Sequence, residues 1–453
     1  MSDAEDFETA VAAVREEVDP SAAERERMES VAAELRERAE RAIAELPVDA
    51  DVLQVGSTAR GTWISGDRDV DVFVRFPTDL DREELEEHGL AVGHSVLPEG
   101  HEEYAEHPYV KGTVEGFDVD LVPCYDVDDA AAIRSAVDRT PFHTEYVAAR
   151  LDDDLAADVR LAKQFLTGIG AYGSDLRTRG FSGYLTELLV LEYGGFRELV
   201  EAAAEWHPPV EIDPEDHGEE TFDDPLVVID PTDPGRNVAA VLSHENIARL
   251  QHYARKLLAE PREELFFPAA LDPLSTGDAE AAIADRGTIP VAIRFAAPDV
   301  VEDQLYPQLA RSLDGVTEEL DRRGFDVVRS TAVAADRAVL LVELGVAERP
   351  TIERHEGPPV HVRDHATGFY EKYVDDPDAY GPFIHEGRYV VEREREFRTA
   401  AAFLESDRLL DVRLGTHIES ALEEEYDVLV GDDVATLAEE FGVELARYFD
   451  PTP

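Results

Sequence analysis

Lysine is almost missing from this chain. Only Lys111, Lys163, Lys256 and Lys372 occur, and arginine supplies the rest of the 42 basic residues. Against them stand 101 aspartates and glutamates, for a formal net charge of −59. Such a chain has no broad basic face for a polyanion, so any nucleic acid it binds must be held by local arginine clusters, stacking and shape. The imbalance does not mean disorder, because 43% of the residues are hydrophobic. Acid-rich, lysine-poor and still hydrophobic is the composition of a protein hydrated in multimolar salt. At roughly 1 M salt the Debye length is only ~3 Å, which screens the self-repulsion. A halophile that keeps high salt in its cytoplasm is the expected source.

Cysteine is rarer still. Cys124 stands alone, which excludes an internal disulfide and a cysteine-rich zinc site. Its setting, Leu121-Val122-Pro123-Cys124-Tyr125, predicts a packed thiol and not a nucleophile. There is no apolar run of membrane-spanning length, no leader pattern, no internal repeat and no low-complexity tract. A soluble cytoplasmic protein with no membrane partner is therefore expected. With 453 residues, two to four domains and ample core are expected too.

What is present centres on one stretch. Asp51 to Val55 reads as a strand, Gly56-Ser57-Thr58-Ala59-Arg60-Gly61-Thr62-Trp63 as a turn opening a helix, and Val70, Val72, Val74 and Phe76 alternate as a second strand. Alternation places Asp69 and Asp71 together on the face opposite the valines. A Gly-Ser turn offers backbone N–H groups to an anion. Two carboxylates beside it can hold divalent metal against a phosphate chain, the equipment of nucleotidyl transfer. An isolated Asp-x-Asp would mean little where 101 of 453 residues are acidic. Its spacing from Gly56-Ser57, between two strand patterns, carries the signal.

Gly56-Ser57-x-Ala59-Arg60-x-x-Trp63 with Asp69-x-Asp71 resembles the signature of the DNA polymerase β-like nucleotidyltransferases. It is closest in pattern to the archaeal, class I CCA-adding enzymes (tRNA nucleotidyltransferases), and further matching segments extend over nearly the whole chain. The resemblance implies an α+β multidomain protein: a polymerase β-like catalytic domain (1–146), a mainly helical central nucleotide-binding domain (147–272) and an α+β C-terminal tRNA-binding region (273–453). It implies template-independent addition of C, C and A to tRNA from CTP and ATP, with Mg²⁺ on Asp69, Asp71 and a third carboxylate. The family pattern places that third one at Asp120, just before Val122-Pro123-Cys124-Tyr125. The alternating strand also puts Asp118 on its face, and sequence alone does not choose between them. By the same resemblance Gly56, Ser57, Arg60, His143, Lys163 and Tyr172 cradle the triphosphate, and Arg236 lies beside the incoming base, where its planar guanidinium could read C against A. A retained lysine in a chain that avoids lysine adds weight to Lys163.

The remaining readings are local. Helices are expected over 5–18 and 21–46, with Ser21 and Glu24 forming a capping box. A further helix is expected over 81–95, then a hairpin turning at Glu115-Gly116, and a break at Thr140-Pro141 before a new helix. His88, His94, His101 and His107 lack ligand-type spacing and read as satisfied or surface histidines. Phe181 and Tyr184 are expected to pack a helix over 184–203 against the catalytic domain. Residues 206–224 read as loop, 226–230 as a strand, 236–240 as a helix start and 244–259 as a helix. In the last third, strands over 289–295, 325–334 and 336–344 with a helix over 302–323 suggest a small sheet with helices on one face. Residues 348–362 read as an irregular excursion. Helix over 397–404, and a strand with a closing helix over 426–449, finish the chain. Aromatic and basic residues cluster in Thr367–Tyr373 and Tyr380–Tyr389, a pairing suited to RNA; both segments also resemble the family's C-terminal region, which implies contact with the tRNA acceptor stem and elbow. A homodimer stays open. The alternatives are a poly(A)- or oligoadenylate-making relative, separable by its open-ended product, and a catalytically dead tRNA-binding protein.

Overall fold

The computed structural model describes residues 3–104 and 106–453. They fall into two compact units, one running to Ala269 (with Pro453) and one over Ala270–Thr452.

The first unit opens with helices α1 (Asp3–Val18) and α2 (Ala22–Ile43), the second capped by the expected Ser21–Glu24 box and ending three residues earlier than expected. Strand β1 (Asp51–Val55), the short helix α3 (Gly56–Arg60), β2 (Asp69–Phe76), α4 (Arg82–Val96), β3 (His101–Tyr104), β4 (Pro108–Val114) and β5 (Phe117–Tyr125) follow. They build a five-stranded sheet of order β1-β2-β5-β4-β3, in which only β2 and β5 run parallel. Val70, Val72, Val74 and Phe76 alternate onto a core shared with Leu35 of α2 and Leu85, Val92 and Val96 of α4. That burial leaves the odd-numbered face of β2 free for Asp69 and Asp71. Cys124 is buried, as expected, and burial pushes its thiol well above the usual range.

Helix α5 (Thr140–Ala148) follows a 3-10 turn, Ala136–Arg139, without the expected break. Thr140 is αR (φ −56°, ψ −39°) although it precedes Pro141. The buried Asp138 carboxylate accepts the N–H groups of Tyr125, Arg134 and Ser135 at 2.8–2.9 Å and ties this turn to β5.

The central part contains α6 (Asp153–Gly168), α7 (Gly183–Tyr193), α8 (Phe196–Ala204), β6 (Val210–Ile212), β7 (Leu226–Asp230), β8 (Asp233–Asn237) and α9 (His244–Ala259). The helix expected over 184–203 is two helices. Gly194 and Gly195 have φ of 85° and 154°, and a Cβ on Gly195 would meet Glu198 Oε2 at 2.6 Å and Asp158 Oδ2 at 2.9 Å. The segment 206–224 is not all loop, since β6 pairs with β7. The helix expected at Arg236 is strand β8, hairpinned onto β7. Phe165 packs its ring against Phe196 and Phe266 in this core, with centroids 5.9 and 5.3 Å apart. Truncating such a buried ring to alanine costs about 3–5 kcal/mol. Phe181 is buried in a core that also holds Phe7, Val11, Val14 and Val18 of α1, and Tyr184 stacks on His143 of α5, so both pack this region against the catalytic part as expected.

The second unit begins with α10 (Thr276–Arg286), which the sequence reading did not foresee. Then come β9 (Ile289–Ala296), α11 (Glu302–Arg322), β10 (Val327–Ala334) and β11 (Arg337–Leu344), close to expectation. Next are β12 (Ile352–Pro359), α12 (Arg363–Tyr373), β13 (Ala379–His385), β14 (Arg388–Glu394), α13 (Ala400–Leu404), α14 (Thr416–Glu424), β15 (Tyr426–Val430) and α15 (Ala438–Phe449). The main sheet, β10-β11-β9-β15, is covered on both faces and not on one. Leu340 and Ile293 face a core with Leu309 and Phe403, while Leu341 and Ala292 face another with Ile283 and Phe441. The "irregular" 348–362 segment contains β12, an edge of a three-stranded sheet β12-β14-β13, where prolines are tolerated. No helix among the described residues is long and apolar enough to cross a membrane.

Candidate active site

Parallel pairing of β2 with β5 sets Asp69 opposite Asp118 and Asp71 opposite Asp120. On the other side Asp71 pairs with Val55, the residue before the Gly-Ser turn. Gly56 has φ of 77°, and a Cβ there would lie 2.1 Å from Asp71 Oδ2. Glycine is thus required twice over at this position, by conformation and by the carboxylate lying against the turn. The turn, Asp69, Asp71 and Asp120 are brought together. Asp118 is exposed and accepts from Thr113 Oγ1 at 3.2 Å.

These acids are poorly compensated. Burial, then Asp120 and Asp69, push the Asp71 carboxyl up to about 6, against the weaker opposing pull of Arg60 and Lys111. Burial likewise raises Asp69, with Asp67 and Asp118 adding to it. It also raises Asp120, which Lys111 opposes. Lys111 Nζ stands 3.5 Å from Asp120 Oδ1, an ion-pair separation that leaves that buried oxygen without a hydrogen-bond donor. Among the described residues no three such groups already surround one point closely enough to hold an ion. The donor chemistry nonetheless suits a hard divalent cation: oxygen ligands only, excess negative charge and an orphaned carboxylate oxygen.

Behind the turn lies a second cluster. Glu187, fully buried on α7, pairs with Arg60 at 3.0 Å, stands 3.7 Å from Lys163 Nζ and accepts from Thr62 Oγ1 at 2.5 Å. Lys163 also donates to the Thr62 carbonyl at 3.0 Å, and Arg60 donates to Thr144 Oγ1 at 3.0 Å. Burial lowers the Lys163 ammonium while Glu187 opposes the shift. Tyr172 lies beside this pair, its hydroxyl 3.1 Å from where a Cβ on Gly183 would stand. The structure therefore places Arg60, Lys163 and Tyr172 together, with Lys163 buried beneath the turn and not open on its surface.

A third cluster gathers His143 and Arg236. His143 Nε2 lies 2.9 Å from Asp230 Oδ2, and Arg236 Nη1 donates to the same oxygen at 2.7 Å. Tyr184 stacks on the His143 ring, centroids 3.8 Å apart, and its hydroxyl donates to Asp230 Oδ1 at 3.2 Å. Burial lowers His143, although its hydrogen bond to Asp230 opposes this. Burial acts to raise Asp230, but its donors, His143 foremost, hold it well below the usual carboxylate range.

Sequence reading missed Glu187, Asp230 and Thr62. A lone acid inside Leu185-Thr186-Glu187-Leu188-Leu189, and another closing the apolar Leu226–Ile229 run, were the available signals. The four histidines largely follow the reading, except that the buried His107 leaves Nε2 without a partner. His94, His101 and His107 each meet a glutamate at 3.1–3.2 Å, and His88 stacks on Phe76.

Three family models match in succession: a nucleotidyltransferase domain over 35–143, the second domain of tRNA nucleotidyltransferase over 157–267, and the C-terminal domain of CCA-adding enzymes over 286–431. Curated CCA-adding enzymes match along the whole chain. That of Haloarcula marismortui is 64% identical, covering 100% of both chains, and that of Halorubrum lacusprofundi is 63% identical, covering 99% of this chain and 100% of its own. The enzyme of Methanoregula boonei, 47% identical, covers 95% and 93%. A solved cytoplasmic RNA terminal U-transferase aligns with 58% of this chain and 99% of its own at 17% identity and a TM-score of 0.45, too distant to add to the assignment. With relatives of that identity over its full length, the chain belongs to the CCA-adding enzymes, the tRNA nucleotidyltransferases that add C, C and A to the tRNA 3′ end without a template.

Proposed function

We propose that the face formed by Asp69, Asp71 and Asp120 is the centre of this nucleotidyl transfer. The observation that carries it is the undercompensated acid cluster packed against Gly56. Mg²⁺ held by these three carboxylates would supply Lewis-acid activation and neutralise the leaving pyrophosphate. Asp120, in register with Asp71 and retaining an unpaired buried oxygen, is a better third member than the exposed Asp118. Its free acceptor suits it to orient the terminal hydroxyl of the tRNA toward the α-phosphate of CTP or ATP. Gly56 and Ser57 present the turn to the triphosphate, and Arg60 and His143 flank it. Lys163 and Tyr172 support the same phosphates from beneath. Arg236 reads the base.

The division of labour follows 1–146 for catalysis, 147–272 for the nucleotide and 273–453 for tRNA. In the last part Tyr370, Tyr380 and Phe383 are exposed on α12 and β13, surfaces suited to stacking at the tRNA elbow and acceptor stem, whereas Tyr373 is core. The enzyme works in the cytoplasm, and a homodimer is compatible with this scheme. Sequencing the products made from a tRNA lacking its 3′ terminus, with CTP, ATP and Mg²⁺ in multimolar KCl, tests the reading. Addition of C, C and A and then arrest is expected. A long A tail, or no extension by folded protein, contradicts it.

A further inference from the structure

Asp230 is fully buried, yet it belongs to no catalytic set and carries no family role assigned above. Its carboxylate oxygens meet four residues, Thr232, Tyr184, His143 and Arg236. Thr232 supplies its backbone N–H at 3.0 Å and its hydroxyl at 2.8 Å to Oδ1, where Tyr184 also donates. His143 and Arg236 converge on Oδ2. Even the Asp230 backbone carbonyl is engaged, 3.1 Å from His217 Nε2. One carboxylate therefore links α5, α7 and the β7–β8 hairpin, its partners on α7 and α5 lying 46 and 87 residues away along the chain.

The geometry has a direction. With Thr232 and Tyr184 on Oδ1, the carboxylate plane is fixed, and Oδ2 becomes a fixed point shared by an imidazole and a guanidinium. The Arg236 side chain is about one-third exposed at 34%, so Nη1 is tethered to Oδ2 while its other donors stay within reach of a ligand. His143 is held by the stacked Tyr184 ring on its face and by Oδ2 at its edge. Orientation of the two groups toward a bound nucleotide thus depends on a residue that does not touch the nucleotide.

We propose that Asp230 is the positioning residue of the nucleotide pocket, setting the Arg236 guanidinium and the His143 ring in one rigid arrangement from which the base and the triphosphate are read. This rests on the reading that His143 and Arg236 contact the nucleotide. Loss of the anion frees Arg236 to rotate, so KM for both CTP and ATP rises and A is misinserted where C belongs. The turnover step, which belongs to the carboxylates on β2 and β5, changes less.

Asp230→Asn keeps the shape and removes the charge. The steady-state KM for CTP and ATP is expected to rise about ten- to a hundredfold, the range seen when outer partners of a site's ligands are removed, with kcat changed several-fold less and the ratio of A to C inserted at the first position increased. Thermal melting in multimolar KCl, run alongside, establishes that the variant is folded. If it is not, Tyr184→Phe and Thr232→Val each remove one donor from Oδ1 and should raise KM in smaller steps. Arg236→Gln and His143→Gln are measured in parallel. If both leave KM and base choice at wild-type values, the nucleotide-contact reading fails and the inference falls with it. If they raise KM but folded Asp230→Asn, or both donor variants, match wild type, the positioning role alone is overturned.

Discussion

Asp71 and Asp230 are the same residue type in opposite states. Asp71 is half-buried and its carboxyl is pushed up to about 6, whereas Asp230 is fully buried and held below the usual carboxylate range. Burial alone would raise both. Neighbours decide the outcome. Asp230 sits among His143, Tyr184, Thr232 and Arg236, all donating, so its charge is satisfied internally. Asp71 faces Asp120 and Asp69, and the cations opposing them do not balance the repulsion. An acid saturated with donors is scaffold. An acid left short of positive charge is a place where a cation is to be added, and the fold tolerates that local cost for function.

The largest break in this contrast should come from Asp71→Asn. Nucleotide addition is expected to fall by at least about 10³-fold, on the scale of removing a central electrostatic element of an active site, while the metal-free melting temperature stays level or rises because a repulsion is relieved. Product gels and melts on one preparation check both halves.

Glu187→Gln probes the opposite kind of acid. It leaves Arg60 and Lys163 in the interior without their anion, and a loss of about 3 kcal/mol is expected. Denaturant unfolding in multimolar KCl, following the transition of the first unit, measures it.

Arg236→Gln should separate function from stability. Its guanidinium is partly exposed, so stability should change by less than about 1 kcal/mol, whereas selection between CTP and ATP should relax. Product sequencing reads the second effect.

The smallest effect is on pH dependence. A raised carboxyl pKa favours the protonated fold, so the Asp71 contribution is present below the ordinary carboxylate pKa and is lost as pH climbs toward and through about 6. Metal-free protein should therefore lose stability over that window, and Asp71→Asn should lose less. Asp230 has the opposite sign: its contribution is present at neutral pH and disappears only when pH falls below the usual carboxylate range. Melting curves across the acid range test both signs.

Part of this contrast could be read before any fold was known. Gly56, Asp69 and Asp71 lie within one turn and one strand, so local spacing exposes them. Strand alternation could not tell Asp120 from Asp118, because both occupy one strand face; its register against Asp71 and its buried, unpaired oxygen distinguish it. Asp230 and Glu187 showed only as lone acids in apolar runs, because partners that give them a role are remote: Glu187 meets Thr62 across 125 residues and Asp230 meets His143 across 87. Residues 236–240 read locally as a helix start, but Arg236 lies in a strand pinned to β7 by Asn237 Oδ1, which accepts from Val228 N at 2.9 Å. Strand β12 was likewise hidden by the prolines an edge strand tolerates.

The most direct test of the contrast is a Mg²⁺ titration of the melting temperature of wild type and Asp71→Asn, in multimolar KCl above the pH at which Asp71 titrates. The undercompensated-site account predicts a clear rise with Mg²⁺ for wild type. For Asp71→Asn it predicts a level or higher starting value and little or no rise. Equal rises in both proteins, or none in wild type, would contradict it.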